Sequence, residues 1–98
     1  MSAIYRVTMT CSGVPNAEGA EAADDIAREF AEHRQHYQNV TCTYADGVLT
    51  LTAESDFDPD GANLGDEFSD CIAAYVATVF DGGIRLVEAS QASGARPS

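Results

Sequence analysis

The strongest constraint on the fold is an Asp-Gly pair between two stretches in which polar and apolar residues alternate. Asp46 and Gly47 separate residues 39–45 from residues 48–53. Such a pair favours a two-residue hairpin turn, because both central residues of that turn adopt a positive φ. The expected pairs are Ala45 with Val48, Tyr44 with Leu49, Thr43 with Thr50, Cys42 with Leu51, Thr41 with Thr52 and Val40 with Ala53. One face of the hairpin is then apolar and the other carries threonines, and a one-residue shift would mix the two sets.

Two more strands are predicted near the ends of the chain. In the first, Tyr5, Val7, Met9 and Cys11 alternate with Ile4, Arg6, Thr8 and Thr10. The last strand covers residues 84–89 and alternates less regularly, with Ile84 and Leu86 on one face and Arg85 and Val87 on the other. Both strands therefore have one face suited to a core.

Helical spacing of apolar residues predicts two helices between these strands. The first follows Pro15 with Asn16 as its expected N-cap, and the second follows Asp60-Gly61, where Asn63 and Asp66 resemble a capping box. Gly82 and Gly83 would end the second helix. The apolar stripes are Ala20, Ala23, Ile26, Ala27, Phe30 and Tyr37 in the first helix, and Leu64, Phe68, Cys71, Ile72, Tyr75, Val76 and Val79 in the second.

The predicted order is strand, helix, strand, strand, helix, strand, and the two halves superpose at an offset of 42 residues. This order is the split βαβ, ferredoxin-like pattern of the α+β class. Right-handed crossovers give a four-stranded antiparallel sheet of order 4-1-3-2, with both helices on one face. We expect a single domain over residues 1–90 and a disordered tail over residues 91–98.

The charge of the chain excludes several classes of partner. With 16 acids and 5 basic residues, all of them arginine, the formal net charge is −11. Neither nucleic acid nor an anionic membrane surface is an expected partner, because both need a basic face. Three cysteines without close spacing are expected to be buried thiols of a cytoplasmic protein.

The face of the sheet away from the helices is one candidate site. Six of the seven threonines would lie there, together with two arginines. The residues singled out as ligand or interface groups are Arg6, Thr8, Thr43, Thr50 and Arg85. Because the first and last strands are neighbours, Arg6 and Arg85 are expected close together, where they would attract an anion. The alternatives are an ordinary solvated face, since threonine suits strands, and a self-association surface flanked by Ile4 and Val87.

The acidic segment 56–67 is the second candidate site. It fits D-x-D-x-D-G-x5-E, the calcium loop of EF-hands, in which alternate carboxylates and a final bidentate glutamate surround the ion. The expected Ca2+ ligands are Asp56, Asp58, Asp60, the carbonyl of Ala62, and Glu67. A strand rather than a helix precedes the loop, so the match does not extend to the EF-hand fold. The alternative is an acidic connection in which Asp58, Asp60 or Asn63 caps the second helix.

Three functions remain open at this point. The leading hypothesis is a non-enzymatic binding or accessory module that forms a homo-oligomer through its open sheet face. A calcium-binding module that uses the acidic loop is the second. The third is a small enzyme acting on an anionic substrate near Arg6 and Arg85. No Ser-His-Asp order, phosphate loop or nucleophile elbow is visible in the residue pattern. His33 and His36 share a helical face but are expected to stabilise the end of the helix rather than to bind a metal.

Overall fold

A computed structural model describes residues 4–34, 36–76 and 83–93. The elements are β1 (Ile4–Cys11), α1 (Asn16–His33), β2 (Gln38–Ala45), β3 (Val48–Ser55), α2 (Ala62–Tyr75) and β4 (Ile84–Ser93). The strands form one antiparallel sheet of order β2-β3-β1-β4, which is the predicted order 4-1-3-2. The ferredoxin-like topology is therefore confirmed, and β2 and β4 are the two edges. No described helix is long and apolar enough to cross a membrane.

The predicted hairpin joins β2 and β3. Asp46 and Gly47 have φ of 51° and 82°, as the two-residue turn requires. The pairs from Ala45 with Val48 to Thr41 with Thr52 are confirmed. The predicted regular pair of Val40 with Ala53 is replaced by a bulge between Gln38 and Thr41, in which Asn39 and Val40 together oppose Ala53.

The core lies between the two helices and the helix-facing side of the sheet. Its largest fully buried side chains are Phe30, Phe68, Ile26, Leu49, Leu51 and Leu64. Helix α1 also buries Gly19, against which the ring of Tyr44 packs so closely that an added methyl group would overlap the ring. The Tyr44 hydroxyl lies 2.7 Å from the carbonyl oxygen of Val14 and 2.7 Å from Asn16 Oδ1. This contact holds the start of α1 on the β2–β3 hairpin.

Both helices begin differently from the prediction. Asn16 is the first residue of α1 rather than its N-cap, and the carbonyl of Pro15 accepts the first helical hydrogen bonds. Asn63 is likewise inside α2, which starts at Ala62 after Gly61. Tyr75 is exposed rather than part of the buried stripe, whereas Val79 lies outside the described residues.

Strand β4 is the more exposed edge of the sheet. Its pairing with β1 shifts between Thr8 and Met9, which leaves Val87 as an extra residue. Arg85 and Glu88 therefore both lie on the open face, opposite Thr10 and Thr8. The strand continues to Ser93, so ordered structure reaches three residues into the predicted tail, and residues 94–98 lie outside the described part.

Candidate functional sites

Asp58, at the third position of the calcium pattern, caps helix α2. The residue is only 4 % exposed. Oδ1 accepts a hydrogen bond from the backbone N–H of Asn63 at 3.1 Å, and Oδ2 accepts one from Leu64 at 2.9 Å. Both carboxylate oxygens are thus bonded to otherwise unpaired amides at the positive end of the helix. Asp60 adds a third bond of this kind, from the N–H of Ala62 to its Oδ1 at 3.1 Å.

Gly61, at the sixth position of the pattern, is required by the packing of the loop on the sheet. Its φ of 77° lies in the left-handed region. A Cβ there would come within 2.6 Å of Val7 Cγ1 and 2.9 Å of Met9 Cε. The glycine therefore lets the loop backbone approach β1 closely, independently of any bound ion.

Glu67, the last residue of the pattern, points to the end of α1. Its Oε1 accepts a 2.7 Å hydrogen bond from Arg34 Nη1, and its Oε2 lies 3.1 Å from His36 Nε2. Burial alone would raise the pKa of Glu67, but hydrogen bonds from Arg34 and His36 outweigh it and lower the pKa below its ordinary value. Glu67 is therefore a member of an ion-pair cluster between the helices.

The expected calcium ligands differ in their surroundings. Asp58 and Glu67 have the partners given above, Asp56 is exposed, and Ala62 is the first residue of α2. Among the described residues, no three His, Cys, Asp or Glu side chains are grouped so that they could hold a metal ion. Binding of Ca2+ to this loop stays a prediction from the residue pattern.

On the open sheet face, Arg6 is bonded to a carboxylate rather than free for a ligand. Its Nε and Nη2 donate to Glu54 Oε2 at 2.9 Å and 2.7 Å. The other oxygen of Glu54 accepts a 2.8 Å bond from Asn39 Nδ2, which the bulge in β2 places beside it. Glu54 is 9 % exposed, and these bonds from Asn39 and Arg6 lower its pKa. This end of the face is a closed network.

The expected pairing of Arg6 with Arg85 is wrong. Arg6 is opposite Ser90 on β4, whereas Arg85 is opposite Thr10, four residues farther along β1. At a strand rise of about 3.3 Å per residue, the two positions are separated by about 13 Å. Register explains the result, because neighbouring antiparallel strands bring the start of one to the end of the other. The two arginines therefore do not form one anion site.

The middle of the open face is made of threonines. Thr8 and Thr52 share a hydrogen bond of 3.0 Å between their hydroxyls, and Thr43 is opposite Thr50. Arg85 lies beyond them, at the end of the face where β1 ends and β4 begins. It lines a cleft of about 310 Å³ together with Thr10, Ser12, Val48, Gly83 and Ile84.

A cluster between α1 and α2 was not foreseen from the sequence. Arg34, just after α1, joins Glu67 to Glu29, with 3.5 Å between its Nη2 and Glu29 Oε2. Tyr37 is buried beneath it and contacts the rings of Phe30 and Phe57 at centroid distances of 5.6 Å and 5.4 Å. The spacing of Glu29 and Arg34, five residues apart, is only a weak local indication of an ion pair. Glu67 is 33 residues farther along the chain than Arg34, so no local pattern predicts its contact with Arg34.

The three cysteines are free thiols, as expected. Cys11 and Cys71 are buried, and Cys42 is half-buried against the core. Burial raises the pKa of all three thiols, to about 12 for Cys42, with smaller contributions there from Cys71 and Asp24. Thiols of this kind are poor nucleophiles and poor metal ligands at neutral pH.

The chain matches no protein-family model, no curated protein and no solved structure. Interpretation of its function therefore depends on the chemistry of its own surfaces.

Proposed function

We propose that this protein is a cytoplasmic, non-enzymatic binding module that associates with a second copy of itself. The observation that carries the proposal is the exposed edge strand β4. Ile84, Leu86 and Val87 are 37 %, 48 % and 58 % exposed, and they are three of the five large apolar side chains exposed in the described residues. Consecutive exposed apolar residues on an edge strand favour pairing with another strand.

The chemistry of the open face limits where such an interface lies. At the β3 side, the hydrogen bonds of Glu54 are already satisfied by Arg6 and Asn39, and the centre is threonine. Burying these polar groups contributes little to the free energy of association, because they already have hydrogen-bond partners. Burying Leu86 and Val87 contributes more, because it removes apolar surface from water. We therefore expect the second copy to pair with the free edge of β4, rather than to cover the open face as a whole.

Sedimentation equilibrium from 10 µM to 1 mM tests this proposal. We expect the wild-type chain to convert from monomer to dimer, and Val87→Lys to stay monomeric because a lysine on an edge strand opposes strand pairing. Ala31→Lys is the matched control, since it adds the same charge at an exposed position of α1 and should dimerise like the wild type. A wild-type chain that stays monomeric at 1 mM would overturn the proposal.

A further inference from the structure

Arg85 differs from the other described arginines in its surroundings. Arg6, Arg28 and Arg34 each form an ion pair with a carboxylate, on Glu54, on Asp25, and on both Glu29 and Glu67 respectively. Within residues 4–34, 36–76 and 83–93, no carboxylate pairs with Arg85. Acids outnumber basic residues 16 to 5 in the whole chain. Among the described arginines, Arg85 is therefore the one without a carboxylate partner in the described part of the chain.

The cleft beside Arg85 has both polar and apolar walls. Thr10 and Ser12 carry hydroxyl groups and Val48 is apolar, and none of the described lining residues is acidic. Ile84 also borders the cleft, but it is opposite Cys11 of the core, so its side chain lies on the other face of β4 from that of Arg85. Thr10 is directly opposite Arg85 in the β1–β4 pair, so its hydroxyl and the guanidinium lie on the same face. Three groups that can donate hydrogen bonds thus surround a space of about 310 Å³, at the small end of the range for ligand pockets.

We propose that this cleft binds a small organic carboxylate. A guanidinium matches the two oxygens of a carboxylate with two parallel N–H donors, and the hydroxyls can donate to the same oxygens. The apolar side chain of Val48 then contacts the hydrocarbon part of the ligand. Inorganic phosphate fits less well, because the described lining of the cleft offers one cation and an apolar side chain, Val48, that phosphate cannot use. This site does not depend on self-association.

The test is a titration of the full chain with sodium butyrate, followed by 15N–1H NMR. We expect saturable shifts at Arg85 Nε–H and at the amides of Thr10 and Ser12, with a Kd on the order of 1 mM for so small a ligand. Butylammonium chloride at equal ionic strength should give no such shifts. Inorganic phosphate should bind at least tenfold more weakly than butyrate.

Two arginine variants separate a site from a general effect of charge. Arg85→Gln should weaken butyrate binding at least tenfold, whereas Arg28→Gln removes the same charge from the exposed face of α1 and should leave it unchanged. Equal weakening in both variants, shifts that do not saturate, or shifts away from the cleft would overturn the proposal. Diffusion measured in the same samples reports the oligomeric state, so loss of the dimer and loss of ligand binding are read separately.

Discussion

At the scale of single residues, two buried carboxylates are satisfied in different ways. Asp58 accepts hydrogen bonds from backbone amides at the start of α2, and Glu54 accepts them from side chains on two neighbouring strands. Neither carboxylate is left to interact with a ligand. A buried charge without partners would cost several kcal/mol, so removing the partners of either group should destabilise the fold.

The first prediction concerns the cap formed by Asp58. Asp58→Ala should lower the free energy of unfolding by about 1–2 kcal/mol, because two amides of α2 lose their acceptors. Asp56→Ala, an exposed acid two residues earlier, should change it by less than about 0.5 kcal/mol. Urea denaturation in calcium and in chelator measures both variants. Equal losses for the two variants, present only with calcium, would favour the metal site over the cap.

Gly61 gives a second prediction. Gly61→Ala should lower the free energy of unfolding by about 1–3 kcal/mol, because the residue has φ of 77° and its Cβ would overlap Val7. Gly83→Ala is the control, since a Cβ at Gly83 meets nothing within 4 Å. Thermal denaturation followed by circular dichroism compares the two, and a Gly61→Ala protein as stable as the control would contradict the tight approach.

The lowered pKa of Glu54 gives a dependence of stability on pH. Its ordinary pKa is 4.5, and hydrogen bonds from Asn39 and Arg6 lower it in the folded state. The unfolded chain therefore binds the proton more readily, so the contribution is complete above pH 4.5 and is lost as the pH falls through the folded pKa. The difference in urea midpoint between wild type and Glu54→Gln should be constant from pH 6 to 8 and should shrink below 4.5. A difference that grows on acidification would contradict this sign.

At the scale of elements, the two helices are joined by polar groups as well as by the core. Arg34 bonds Glu67 of α2 and lies 5.8 Å from the centre of the Phe30 ring. It also neutralises Glu29 and Glu67, which would otherwise be two half-buried like charges. The Tyr75 hydroxyl of α2 also donates to Glu29 Oε1 of α1 at 3.1 Å, so the guanidinium of Arg34 is the main but not the sole polar link between the helices.

Removal of that guanidinium is the fourth prediction. Arg34→Ala should lower the free energy of unfolding by about 1–3 kcal/mol, because it leaves Glu67 partly buried with one partner fewer. Arg28→Ala removes an exposed pair with Asp25 and should cost less than about 0.5 kcal/mol. Chemical denaturation measures both, and similar values for the two variants would show that the Arg34 cluster contributes no more than a surface pair.

Elements whose pattern is local were predictable from the sequence, and contacts that depend on register were not. The hairpin follows from Asp46-Gly47 because turn type and strand alternation agree within 15 residues. The bulges at Asn39 and Val87 depend on how each strand meets its neighbour, and no local pattern marks them. For the same reason the separation of Arg6 from Arg85 was missed. Asp58 was only one of three alternatives for the cap, because its partners depend on how the loop folds back.

At the scale of the whole molecule, acids outnumber basic residues by 16 to 5, so most of the negative charge is not neutralised within the chain. In the described residues, three arginines form ion pairs with four carboxylates, against 16 acids in the chain. Repulsion among the other carboxylates opposes the compact state, and salt screens it over about 8–10 Å at physiological ionic strength. The stability of this fold should therefore depend strongly on salt.

The fifth prediction is a rise in melting temperature with salt. Between 10 mM and 1 M NaCl we expect a continuous increase of several degrees, because screening removes repulsion that the ion pairs do not offset. Choline chloride should act like NaCl if screening is the cause, and CaCl2 should exceed both at equal ionic strength only if the acidic loop binds the cation. A melting temperature that does not change with NaCl would show that self-repulsion is unimportant.

The acidic loop also bears on how short motifs are used to assign function. Three fixed positions of its calcium pattern have other reasons to be as they are: Asp58 and Asp60 accept bonds from amides of α2, and Gly61 lies against Val7. In a strand-to-helix connection built this way, capping and close packing alone favour the sequence D-x-D-G, without selection for a metal. Pattern searches for calcium loops will therefore select such connections too, and inspecting which amides face the carboxylates is a direct filter for them.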